Sequence, residues 1–160
     1  MSLRNRVRWS VASLAATGAL ALAASPASAA AFQFDTDGVN LGSLPALGSP
    51  AGFAGEMRWS QEVGGSTIHA RLVGNEWHNG GVAGCVRIRV EYRNSAGTVI
   101  GTDQSDEQCT PNGIPTAWRG VSESFSSSAL RSARVRLQVR QFGQTSFSNV
   151  QSVVVQAGGA

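Results

Sequence analysis

The chain has 160 residues, with 13 basic and 10 acidic side chains, and every basic one is arginine. Three of those arginines lie within the first eight residues, so a pI near 9.7 describes the N-terminus more than the remainder, where ten arginines face ten acids. A near-neutral body of about 130 residues excludes a polycation built for nucleic acid, and it suffices for one cored domain but not two.

Arg4, Arg6 and Arg8 form a positive opening, Val11 to Ala24 is a small-residue apolar run, and Ala27-Ser28-Ala29 follows. That order is a secretory signal with an A-x-A cleavage site, so residues 1–29 are expected to be removed and the rest exported. The apolar run is short for a membrane span, and no later stretch approaches eighteen apolar residues. No cysteine stands near the cleavage point, which argues against a lipid anchor.

Residues 30–55 are rich in Gly, Ala, Ser and Pro and are expected to be a linker or arm, with one short strand around Phe32 and Phe34. The domain is expected over 57–156. Met57, Trp59, Gln61 and Val63 alternate with polar residues, as do Ile68, Ala70 and Leu72 within Thr67 to Val73. Gly74 to Gly84 reads as a loop carrying Trp77 and His78. Val86, Ile88, Val90 and Tyr92 alternate with Arg87, Arg89, Glu91 and Arg93, the period of two of a strand with one wet face. Asn94 to Gly97 supplies a hairpin turn and Thr98 to Thr102 the returning strand. Asp103 to Gln108 reads as an acidic loop. Further strands are expected at Trp118 to Phe125, Ala133 to Arg140 and Phe147 to Val155. Beyond the signal no window has the pattern of a three-turn amphipathic helix. Short alternating segments separated by turn residues indicate an all-β, antiparallel sandwich or small barrel.

Two cysteines in an exported chain most simply form one disulfide, Cys85–Cys109, closing a loop of about 25 residues. Closure of such a loop stabilises the fold by roughly 3 to 4 kcal/mol on chain entropy.

The all-arginine complement, the Ala-rich signal and the phrases STIHARLVG, CVRIRVEYRNSAGTVIGT and ARVRLQVR resemble small exported proteins of high-GC actinobacteria. Over residues 57 to 156 that resemblance implies an immunoglobulin-like β-sandwich and an exported location. It implies no catalytic residues. Antibody-type domains place a core Trp between their paired cysteines, whereas none lies between Cys85 and Cys109, so the disulfide is expected to staple a loop rather than bridge the sheets.

Several residues are candidates for chemistry. A nucleophilic triad would have to draw on His69 or His78, and no G-x-S-x-G elbow is present. His69, Glu76 and His78 would make a metal site only if the intervening chain folded back, and their spacing matches no zinc signature. Asp35 and Asp37, or Asp103, Asp106 and Glu107, are acidic clusters without a complete calcium loop. No cofactor or metal is therefore expected. Trp59, Trp77 and Trp118 are candidates for stacking on sugar rings, with Trp77 and its neighbour His78 expected in an exposed loop; the simpler account is that tryptophans fill the core. Arg87 and Arg89 on one strand, with Arg134, Arg136 and Arg140 on another, would form a basic ladder if those strands are neighbours. The simpler account is that outward arginines discourage edge pairing and meet Glu91 and Glu123 across strands. The sequence reading is a secreted, non-catalytic binding or structural domain, with a cell-wall polysaccharide or an extracellular protein as partner. A glycan-binding module is the first alternative, and a small hydrolase or metal-dependent enzyme the second.

Overall fold

Alternating apolar positions dictate strands, and strands dominate the computed structural model, which describes residues 32–42, 51–78, 84–110 and 118–158. In chain order they are β1 (Phe32–Leu41), β2 (Ala51–Glu62), β3 (Ile68–His78), β4 (Gly84–Arg93), β5 (Val99–Gln104), β6 (Gln108–Thr110), β7 (Arg119–Ser127), β8 (Ser132–Gln141) and β9 (Ser148–Gln156). All pairings are antiparallel. Sheet A has the order β1-β2-β3-β7 and sheet B the order β5-β4-β8-β9, with β6 also on β4. Among the described residues every element is a strand, as the alternation required. The expected signal, residues 1–29, lies outside the described residues.

The inward positions of both sheets make one core. Val39, Leu41, Phe53, Met57, Trp59 and Leu72 come from sheet A, and Val86, Ile88, Val90, Tyr92, Val135 and Leu137 from sheet B. On the order of 1.5–3 kcal/mol accompanies full burial of each large side chain, so this cluster is the main source of stability. The hairpin between β4 and β5 closes as its residues require. Asn94 Oδ1 accepts from the amides of Ala96 and Thr98, and Gly97 takes φ 78°.

Two expectations about local organisation are corrected. Within 30–55, Phe32–Leu41 is a ten-residue strand paired with β2, and Val39, Leu41, Ala51 and Phe53 are buried. That part of the segment belongs to the sandwich because its apolar side chains close the core; residues 30, 31 and 43–50 lie outside the described residues. β3 also runs on to His78 instead of ending at Val73. Gly74 does not break the strand. A Cβ there would sit 2.6 Å from the Phe53 ring, so the glycine makes room for that ring across the strand pair.

The disulfide joins residues directly opposite in the β4–β6 pairing, with Cα atoms 4.0 Å apart. It lies within sheet B and does not bridge the sheets, as expected. Cys109 sits in the short strand β6 rather than in a loop.

Candidate binding surface

Strand parity determines which chemistry meets solvent. β4 and β8 are neighbours, with Arg87 opposite Gln138, Arg89 opposite Arg136 and Glu91 opposite Arg134. The core-facing Val86, Ile88 and Val90 therefore turn Arg87, Arg89 and Arg93 outward, while Val135 and Leu137 do the same for Arg134, Arg136 and Arg140. The basic ladder is assembled. Six arginines share this face with Glu91 and with Glu107 from the β5–β6 loop, a surplus of four positive charges.

The ladder has an internal order. Glu91 accepts from Arg93 at 2.7 Å and lies 3.0 Å from Arg136 Nε. These contacts outweigh its burial and hold its carboxyl below the usual range. Arg87 donates to Gln138 Oε1 at 2.8 Å and lies over the Phe147 ring at 4.0 Å. Arg140 reaches Glu107 at 2.8 Å. Among the described residues no carboxylate lies within ion-pair distance of Arg89 or Arg134. Glu123 is not a partner of the ladder, contrary to expectation. Its position in β7 has the parity of the buried Val121, so it faces the seam between the sheets and hydrogen-bonds with Asp103 of β5.

The tryptophans divide differently from the sequence reading. Trp77 is 3% exposed and Trp59 is equally buried, its Nε1 donating to Asp37 Oδ2 at 2.8 Å. Trp77 is covered because Gly52 opposite it has no side chain; a Cβ there would fall 2.0 Å from the indole. Trp118 is 49% exposed and packs on Trp77, with ring centroids 4.4 Å apart and planes tilted by 42°. Among the described residues the exposed tryptophan is thus Trp118, and Trp77 is its support.

The other candidates turn apart. His69 is exposed and bonds Ser126 Oγ at 2.7 Å, whereas Glu76 and His78 are buried on the opposite face of β3. The imagined His69, Glu76 and His78 set is therefore not brought together. His78 is not in an exposed loop either; Thr110 Oγ1 bonds its Nδ1, and burial lowers its pKa. Glu76 Oε2 accepts from Ser105 Oγ at 2.9 Å, and Ser105 Oγ accepts from the Ile88 amide. Burial lifts the Glu76 carboxyl to about 7, against the pull of Ser105 and Arg119. Glu123 is also lifted to about 7, by burial and by the Asp103 and Asp106 charges. Asp103, Asp106 and Glu107 diverge, to Glu123, Arg119 and Arg140 respectively. Asp35 and Asp37 lie in a strand rather than a loop. The three close donors Cys85, Cys109 and Glu107 include both disulfide sulfurs, which are spent on each other.

The inter-sheet bridges from Glu76 to Ser105 and from His78 to Thr110 escaped the sequence reading. The parity of the buried Ala70 and Leu72, carried past Gly74, is what places Glu76 and His78 inside. Compared with known proteins, the chain matches no family model and no curated protein.

Proposed function

We propose that this protein is an exported, non-catalytic binding domain that takes an anionic partner on the outer face of sheet B. The carrying observation is the surplus of positive charge on that face although residues 30–160 are near neutral in sum. Partners of the right chemistry are phosphate- or carboxylate-bearing polymers of a cell wall, because the planar guanidinium forks onto either group. Arginines spaced along the paired β4 and β8 strands suit an extended chain better than an enclosed small molecule. Export is supported by the signal pattern of residues 1–29 and by the disulfide. An immunoglobulin-like classification is supported by the order β2-β3-β7 against β4-β8-β9, the arrangement of strands A-B-E against C-F-G, with β1 added at one edge.

The test is retention of the purified chain on immobilised long-chain polyphosphate at low and high salt. Binding is expected at low salt, falling steeply with added salt and with Arg89→Gln/Arg134→Gln, which removes the two guanidiniums of this face that have no acidic partner among the described residues. Equal retention of wild type and double variant would sink the reading. A second reading, sugar stacking, is favoured by the half-exposed Trp118 on its Trp77 support. It predicts retention on chitin or cellulose that survives salt and falls in Trp118→Ala.

A further inference from the structure

One corner of the arginine face is built differently from the rest. Arg87 and Arg140 belong to adjacent strands, and their guanidinium carbons lie 4.0 and 5.2 Å from the centre of the same Phe147 ring. Like charges do not converge on one ring without a counter-charge. The counter-charge is a single carboxylate, Glu107, at 2.8 Å from Arg140 Nη2 and 3.9 Å from Arg87 Nη1. Both cations are held in place from behind. Arg87 donates to Gln138 Oε1, and Arg140 donates to the Gln144 carbonyl and approaches Cys85 Sγ at 3.5 Å. Glu107 is the exposed member, with 40% of its side chain accessible against 17% and 26% for the arginines. It sits between β5 and β6 on a short loop anchored on one side by Ser105 and on the other by Cys109. Burial and the neighbouring Arg89 and Arg140 charges lower the pKa of Arg87, and Glu107 counters them.

We infer that Arg87, Arg140 and Phe147 form a subsite for a phosphate-type dianion, occupied in this state by Glu107 as an internal stand-in. This deepens the reading of the sheet B face as an anion-binding surface and rests on it. One carboxylate leaves the guanidinium pair with a net positive charge, whereas a phosphoryl group matches two guanidiniums in charge and offers oxygens to both forks. The exposed carboxylate swings aside when the stronger anion arrives, and the strand-borne arginines stay fixed. A free phosphate and a terminal phosphomonoester on a polymer present the same dianionic group.

Calorimetric titration with inorganic phosphate and with pyrophosphate, at low ionic strength, separates this subsite from the wider face. Glu107→Gln keeps the side-chain shape and removes the competing charge, so phosphate should bind at least fivefold more tightly than to wild type. Arg140→Gln should weaken it about tenfold, the effect of one charge-assisted hydrogen bond. Arg89→Gln/Arg134→Gln should reduce retention on polyphosphate by a larger factor than it weakens inorganic phosphate, while Arg58→Gln, on the other sheet, should leave phosphate binding within twofold. Unchanged or weaker phosphate binding by Glu107→Gln would overturn the subsite, as would equal binding by wild type and Arg140→Gln, even if polymer retention stands. Failure of wild type to hold polyphosphate, with phosphate binding that still responds to Glu107→Gln, would instead remove the polymer reading and leave free phosphate as the source. Preferential gain for the polymer in Glu107→Gln would assign the group to the chain.

Discussion

Raising the pH from 6.5 to 7.5 should loosen this fold by about 1 kcal/mol, and the cause lies in two inward carboxyls. Glu76 and Glu123 each titrate near 7 when folded, against about 4.5 when unfolded. A raised carboxyl binds its proton more tightly in the folded chain, so the stability linked to it is full below about 4.5 and is lost as pH rises through 7. For a group titrating at 7, the loss between 6.5 and 7.5 is about 0.7 kcal/mol. Two groups give about 1.4 kcal/mol, and solvent access to Glu123 lowers the sum to about 1 kcal/mol. The surroundings of the pair are mixed. Asp103 and Asp106 raise Glu123, while Arg119 and Ser105 lower Glu76. His78 works in the opposite sense. Burial lowers its pKa, so as pH falls through about 6.5 the unfolded imidazole takes up a proton that the folded one resists, which trims the decline at the lower end of the window. Urea unfolding of the oxidised chain, followed by tryptophan fluorescence at fixed ionic strength from pH 5.5 to 8, reads the effect directly. Glu76→Gln/Glu123→Gln should flatten the profile between 6.5 and 7.5. A wild-type profile that is flat or rising there would refute the reasoning, and so would a decline that survives in the double variant.

Two further perturbations test the packing. Reducing Cys85–Cys109 should cost roughly 3 to 4 kcal/mol in urea unfolding, because the closed loop is released and the three-residue β6 is otherwise held by a short ladder on β4 and the Thr110–His78 bond; a loss under 1 kcal/mol would contradict this. Gly52→Ala should destabilise by about 2 to 4 kcal/mol and shift the Trp emission, since its methyl would strike the Trp77 indole. Wild-type stability and emission in that variant would show that the indole is not pinned there.

What the sequence made legible follows from where its pattern is unbroken. The runs from Val86 to Tyr92 and from Ala133 to Val139 alternate without interruption, and they became the paired centre of sheet B, carrying the arginines outward as their parity required. Glycines misled the reading elsewhere. Gly52 and Gly74 look like turn punctuation, yet each lies in a strand and makes room for an aromatic ring on the neighbouring one. That is a property of two strands in register, and a single strand's sequence does not contain it. Ending β3 at Gly74 then placed Trp77 and His78 in a loop and hid the inward turn of Glu76. Glu123 went astray for a similar reason. Its β7 strand is rich in serine, so the weak contrast between its faces left the direction of the carboxylate open. The convergence of Arg87, Arg140 and Glu107 joins residues from three elements and has no local pattern at all.

The separation of charge between the arginine face and the carboxyl-lined seam makes the molecule a dipole. Residues 30–160, with ten arginines and ten acids, carry almost no net charge, yet they are not electrically featureless. In the field of a negatively charged surface such a body experiences a torque rather than a simple pull, and it turns the β4–β8 face toward that surface before contact. For the anionic partner proposed above, orientation would then be established in the approach, within roughly a Debye length of about 8 to 10 Å at physiological salt.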